Sequence, residues 1–223
     1  MKKLASLVTI VIALSLAVTP VTAVTFHKYS VAYETSGSGT YTAVKVTRTN
    51  PAFSISPGTS CGTPLAVPVV YQSQWIAMTA DGLNWVEIGT DHGCNGNQWV
   101  YWGYAVNGTW TLRGTLAVSA STSNHTYSIY RTAGNSWKFY YDTTLVDTVT
   151  WTKIGYAVSA GLESWDSGAV AARHSYTSLA TEINQGSWQL WAGQDSVLVN
   201  GPEMCGAWTL AYEWRASENS TCL

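Results

Sequence analysis

The chain has 223 residues, 46% of them hydrophobic, 13% aromatic and only 11% charged, with a formal net charge of −2. No Lys/Arg cluster occurs, which argues against nucleic acid or an anionic membrane surface as a partner. Lys2 and Lys3 both lie at the extreme start, so the rest of the chain is more acidic still.

Met1-Lys2-Lys3 is a short basic start, and Leu4 to Val18 is an apolar run too short to span a bilayer comfortably. Val21-Thr22-Ala23 supplies small residues for a signal peptidase. Together they predict a signal peptide over 1–23, bacterial in type, and a secreted domain over 24–223. That domain is expected to be a monomer with no membrane attachment after cleavage.

Period-two alternation rich in β-branched and aromatic residues then runs through the chain. It predicts strands over Thr40 to Thr49, Gln74 to Thr79, Leu83 to Thr90, Gln98 to Val106 and Thr109 to Ser119. Further strands are expected over His125 to Arg131, Ser136 to Asp142, Thr144 to Trp151, Ile154 to Trp165, Trp188 to Ala192 and Ala207 to Trp214. Asp81-Gly82, Asn95-Gly96, Asn107-Gly108, Gly134-Asn135 and Asn200-Gly201 mark turns between them. One helix-like piece is expected, over Tyr176 to Ile183. The pattern is all-β: a single-domain, two-sheet antiparallel β-sandwich of jelly-roll type.

Four cysteines in an exported chain favour two disulfides. Three pairings are possible, and Cys61 with Cys94 and Cys205 with Cys222 is preferred because each joins nearby segments. No CxxC spacing exists, and His27, His92, His125 and His174 are scattered, so no metal or cofactor is expected. His92 reads as a loop residue. Gly58-Thr59-Ser60-Cys61-Gly62 matches G-x-S-x-G, but Pro57 precedes it and Thr63-Pro64 comes after it, so it lacks the strand and helix of a nucleophile elbow.

Two glutamates stand out against this charge-poor background: Trp85-Val86-Glu87-Ile88-Gly89 and Gly161-Leu162-Glu163-Ser164-Trp165. Alternation turns Val86 and Ile88 one way and Trp85, Glu87 and Gly89 the other. In the later strand Ser159, Gly161 and Glu163 oppose Val158, Ala160 and Leu162. Small residues leave space above a sheet, so Glu87 and Glu163 would share a cleft if their strands are neighbours. Paired carboxyls in an apolar cleft can divide the roles of acid and base. Trp85 and Trp165 would wall the cleft, with Trp99 and Trp110 as platforms beside turns.

The order Gln74-Trp75-Ile76-Ala77-Met78, Trp85-Val86-Glu87-Ile88-Gly89-Thr90-Asp91 and Trp99 to Tyr104, then Ser159-Ala160-Gly161-Leu162-Glu163, resembles the glutamic peptidases (eqolisins). The resemblance covers roughly residues 70 to 170. It implies a concanavalin A-like sandwich with Glu87 standing where eqolisins have glutamine and Glu163 where they have glutamate. Neprosin-type glutamic peptidases use two glutamates, and Gly93-Cys94-Asn95 and Gly134-Asn135-Ser136-Trp137 resemble that group. Under this resemblance the partner is a polypeptide, Glu163 is the general base, and protonated Glu87 bonds the developing oxyanion. Activity would then fail as pH rises toward neutrality. A polysaccharide partner is the alternative, either bound without catalysis on exposed indoles or cleaved by the same two glutamates.

Overall fold

The computed structural model describes residues 28–35, 39–51, 54–55, 70–93, 96–164, 169–170, 174–191, 196–200, 204–210, 212–217 and 222. The expected signal peptide, Trp165, Cys61 and Cys94 lie outside these residues. The first strands are β1 (Lys28–Thr35), β2 (Tyr41–Asn50), β3 (Ser54–Ile55), β4 (Val70–Asp81), β5 (Asn84–Gly93) and β6 (Gln98–Val106). Next come β7 (Thr109–Val118), β8 (Ser121–Arg131), β9 (Ser136–Tyr141), β10 (Thr144–Thr150), β11 (Ala157–Ser164) and β12 (Ala169–Val170). The last are β13 (His174–Ile183), β14 (Trp188–Leu190), β15 (Ser196–Asn200), β16 (Cys205–Leu210) and β17 (Glu213–Ser217).

They form two antiparallel sheets, as the alternation requires. One has the order β15-β1-β11-β4-β5-β6-β7; the other runs β10-β9-β8-β2-β13-β17-β16, with β14 paired to β13. Strands β3 and β12 form a separate two-stranded ladder. The main core lies between the large sheets. The seven-stranded sheet contributes Ile76, Met78, Val86, Ile88, Val158 and Leu162; the other contributes Val44, Val46, Ile129, Trp137, Phe139 and Trp214. A second apolar cluster covers the outer face of the seven-stranded sheet: Val31, Trp75, Ala77, Trp85, Tyr101 and Ala105, with Tyr29, Trp99 and Trp110 packed on it.

Tight turns set the register. The β6–β7 turn places Asn107 and Gly108 at φ 52° and 77°, the left-handed pair a two-residue hairpin demands. The expected helix over Tyr176 to Ile183 is instead part of strand β13. Tyr176, Leu179, Ala180 and Ile183 mimic helical spacing because the ladder to β2 slips between Thr177 and Ala180. Ser178 takes φ 53° at that irregularity, so residues on its two sides change parity.

Cys205 and Cys222 are joined, as expected, with Cα atoms 6.0 Å apart, and no described cysteine is free. The bridge fastens the C-terminal end to β16 across a separation of 17 residues. Loop-closure entropy gives such a link about 3 kcal/mol. Replacing both cysteines by serine is expected to lower the unfolding free energy by about that much, measured by urea denaturation at fixed pH.

Candidate functional site

Glu87 lies on β5 and Glu163 on β11, but the strands are not neighbours. β4 runs between them, pairing Ala77 with Glu87 and Ser73 with Glu163. The two acids are offset diagonally by two strands and four residues, roughly 10 Å across the sheet and 13 Å along it at the backbone. Both face outward from the sandwich, and both are nearly closed from solvent, at 8% and 9% exposure.

Tyr101 and Ser73 occupy the diagonal. Tyr101, on β6 opposite Gly89, donates its phenol proton to Glu87 Oε1. Its oxygen sits 2.9 Å from Ser73 Oγ. Ser73 is the β4 ladder partner of Glu163, so Ser73 and Tyr101 lie between the two acids on this face.

A third carboxyl completes the set. Asp91 is four residues beyond Glu87 on β5 and shares its parity. It pairs with Ser73, so Tyr29, Glu163, Ser73, Asp91 and Trp99 form one cross-strand row. The signal for Asp91 was present in the alternation: the same i, i+2 rule that turns Glu87 outward turns Asp91 outward. Tyr101 was legible only through the β5–β6 pairing, which sets it opposite Gly89.

Gly161 and Gly89 explain how the rings reach the sheet. A Cβ on Gly161 would fall within the Trp75 indole, and one on Gly89 would meet the Gln74 carbonyl and the Tyr101 ring. Trp85 is buried in this face and stacks on Trp110 at 5.9 Å with the planes 15° apart, while Tyr101 meets Trp110 edge-on at 6.5 Å. Trp99 and Trp110 are partly buried, packed against the cluster rather than free-standing. His92 corrects its expectation: it lies on β5 rather than in a loop, buried and of opposite parity to Glu87, hence toward the other sheet.

The electrostatics reflect this packing. Burial pushes Glu87 up to about 8; the Tyr101 bond opposes that rise, and the charges of Glu163 and Asp91 add to it. The Trp85 indole N–H also favours the ionised form slightly, although it makes no hydrogen bond of ordinary geometry. Burial pushes Asp91 up to about 7, against the nearby Ser73 hydroxyl and Trp99 indole, with Glu163 raising it further. Tyr29 is raised by burial and by Glu163. This face therefore retains protons near neutral pH. No group of three His, Cys, Asp or Glu among the described residues is placed to hold a metal ion.

No protein-family model matches the chain, and no curated protein sequence matches it. Scytalido-glutamic peptidase, solved with a peptide-based transition-state analogue, aligns with a TM-score of 0.58 at 11% identity, over 85% of this chain and 97% of that one. SCP-B, an eqolisin peptidase in complex with the tripeptide Ala-Ile-His, aligns at 0.56 and 11% identity over the same shares. A Bacillus licheniformis beta-glucanase reaches 0.38 at 21% identity, over 59% of this chain and 55% of that one. The chain is thus a concanavalin A-like sandwich resembling the glutamic peptidase fold, as its residues 70 to 170 implied.

The raised carboxyls also make folding depend on pH. Glu87 and Asp91 have folded values above their ordinary ones, 4.5 and 3.8. These two carboxyls hold extra protons in the folded chain up to about pH 8, whereas His92 and His174, kept neutral by burial, hold fewer than they would unfolded below their ordinary value of 6.5; above that value the carboxyls act alone and stability falls as pH rises. Urea midpoints are expected to decline from about pH 6.5 to about pH 8, and the decline should be shallower in Glu87→Gln.

Proposed function

We propose that the chain is an exported glutamic-peptidase-like hydrolase whose working pair is Glu163 and Glu87. The observation that carries this reading is the state of Glu87: a buried carboxyl, held by the Tyr101 phenol, on the same apolar face as Glu163. Support for export comes from the apolar leader with its Ala23 cleavage site and from the Cys205–Cys222 disulfide, which suits an oxidising compartment.

Ionised Glu163 takes a proton from water as the water oxygen attacks the peptide carbonyl carbon. Protonated Glu87 donates a hydrogen bond to the oxygen that becomes negative. Glu163 then passes its proton to the leaving amine, the C–N bond breaks, and both groups return to their starting states. A carboxyl at position 87 can donate only while protonated, whereas glutamine donates at any pH. Burial that holds Glu87 up to about 8 moves the loss of the donor from the acid range to the far side of neutrality. The upper limit of activity is thereby higher than an ordinary carboxyl would allow.

A polypeptide is the substrate class favoured here, in keeping with the tripeptide and peptide-analogue complexes of the two eqolisin structures. Trp99 and Trp110, partly exposed beside the acids, supply apolar walls for an extended chain. A sugar chain stacked on these rings is the second reading, since indole faces suit pyranose rings as well.

The test is hydrolysis of an unfolded protein substrate by the purified mature chain between pH 3 and 9, with xylan and β-glucan in parallel. Glu163→Gln is expected to lower kcat/KM on protein by at least about 100-fold, the scale of a lost general base. Equal activity of that variant, or cleavage of glycan alone, would reject the peptidase. Glu87→Gln carries its own expectation: activity persists and the alkaline limb near pH 8 disappears, because the amide keeps its donor.

A further inference from the structure

Arg48 is the one lysine or arginine buried among the described residues, at 2% exposure. It projects from β2 into the space between the sheets. Its Nη1 donates to Asn50 Oδ1 at 3.1 Å and Gln74 Oε1 at 2.8 Å. Its Nη2 donates to the Gln74 carbonyl at 3.1 Å and Thr90 Oγ1 at 2.8 Å. The Tyr127 ring lies 3.9 Å beneath the guanidinium, and Nε has no partner among the described residues. Every one of these acceptors is uncharged. A guanidinium does not lose its proton in a protein, and sealing it away without an anion costs several kcal/mol.

Among the described residues, the surrounding elements supply no anion inside the sandwich. On β5 and β13, burial and the charge of Arg48 itself drive His92 and His174 toward their neutral forms, His92 down to about 3. Tyr141 on β9 and Tyr176 on β13 are pushed up and stay neutral phenols, and Tyr127 on β8 contributes its ring. The anions lie on the other side of one sheet. Gln74 and Thr90, the two anchors of the guanidinium on that sheet, are chain neighbours of Ser73, Trp75, Gly89 and Asp91. Arg48 is therefore docked on the back of β4 and β5 at the row whose front carries Asp91 and Glu163. Among the described residues, the other titratable groups of that front are Glu87, Tyr101, Tyr29 and Tyr33, the last in the cross-strand row of Glu87.

We propose that Arg48 is a positioning residue for the acid face: its charge, acting through one sheet layer, favours the negative form of the carboxyl beside its Thr90 anchor, Asp91, and that negative charge helps keep the proton on Glu87. The inference rests on the peptidase reading only for its use in catalysis. Arg48 lowers Asp91, after burial, Ser73, Trp99 and Glu163 among its influences, and the Asp91 charge raises Glu87, four residues away on the same strand. Asp91 is not asked to touch substrate. It sets the proton inventory of the residue that does.

The experiment is a carboxyl 13C NMR titration of the mature chain without substrate, comparing the native sequence with Arg48→Lys, Arg48→Gln and Asp91→Asn. Arg48→Gln is expected to raise the Asp91 midpoint by about half a pH unit or more, roughly three-fold in proton affinity, and to lower that of Glu87. Arg48→Lys should leave their order unchanged. An unmoved Asp91 midpoint in folded Arg48→Gln would overturn the proposal. Should that variant fail to fold, Asp91→Asn decides: a Glu87 midpoint lowered by a similar amount supports the relay, and an unchanged one rejects it. Because nothing is turned over, the titration separates this proposal from the peptidase reading. An inactive protein with the expected midpoints would lose the peptidase and keep the relay; an active one with unmoved midpoints would do the reverse.

Discussion

The structure depends on one constraint: the central strands of the seven-stranded sheet are buried on both faces. Along β4, Gln72, Gln74, Ile76 and Met78 turn toward the second sheet while Ser73, Trp75 and Ala77 turn away, and all seven are buried. Every described residue of β11 is buried, as is nearly all of β5. A strand in that position has little water to settle a polar side chain, so a polar group there is costly unless it finds a partner or holds its proton. Gln74 and Thr90 satisfy the rule on the inside and Ser73 and Tyr101 on the outside.

This double burial gives the carboxyls their character. A glutamate on an ordinary half-wet sheet would ionise in acid and interact little with its neighbours. On β5 the same group is surrounded by indoles, a phenol and two other carboxyls. Desolvation is the largest influence on Glu87 and on Asp91, ahead of any single neighbour's charge. The tryptophans thus do more than fill volume. By excluding water they raise the proton affinities of Glu87 and Asp91.

Much of this was legible in residue order. Alternation alone assigned Val86 and Ile88 to the main core and Trp85 and Glu87 to the opposite face, and the expected strand over Gln98 to Val106 coincides with β6. The same rule holds in β2, where Val44, Val46 and Arg48 share one side and are all buried, although Arg48 was not singled out from the sequence. What alternation does not carry is which strand lies beside which. The insertion of β4 between the two glutamates depends on long-range pairing, as does the diagonal crossed by Tyr101 and Ser73. The misread helix has a local cause: the slip at Ser178 places apolar residues at intervals of three and four, and periodicity cannot tell an irregular strand from a helical turn.

Gly161 and Gly89 carry a consequence for how such a face changes over time. Each glycine is an absence that an aromatic ring fills, Trp75 over the first and Tyr101 over the second. The floor of the site is therefore built from pairs in which neither member is replaceable alone. A larger residue at the glycine evicts the ring, and a smaller residue at the ring leaves a hollow beside the acids. A tolerated change at these positions therefore needs both members to change together, while exposed Leu112 or Tyr156 can be substituted alone.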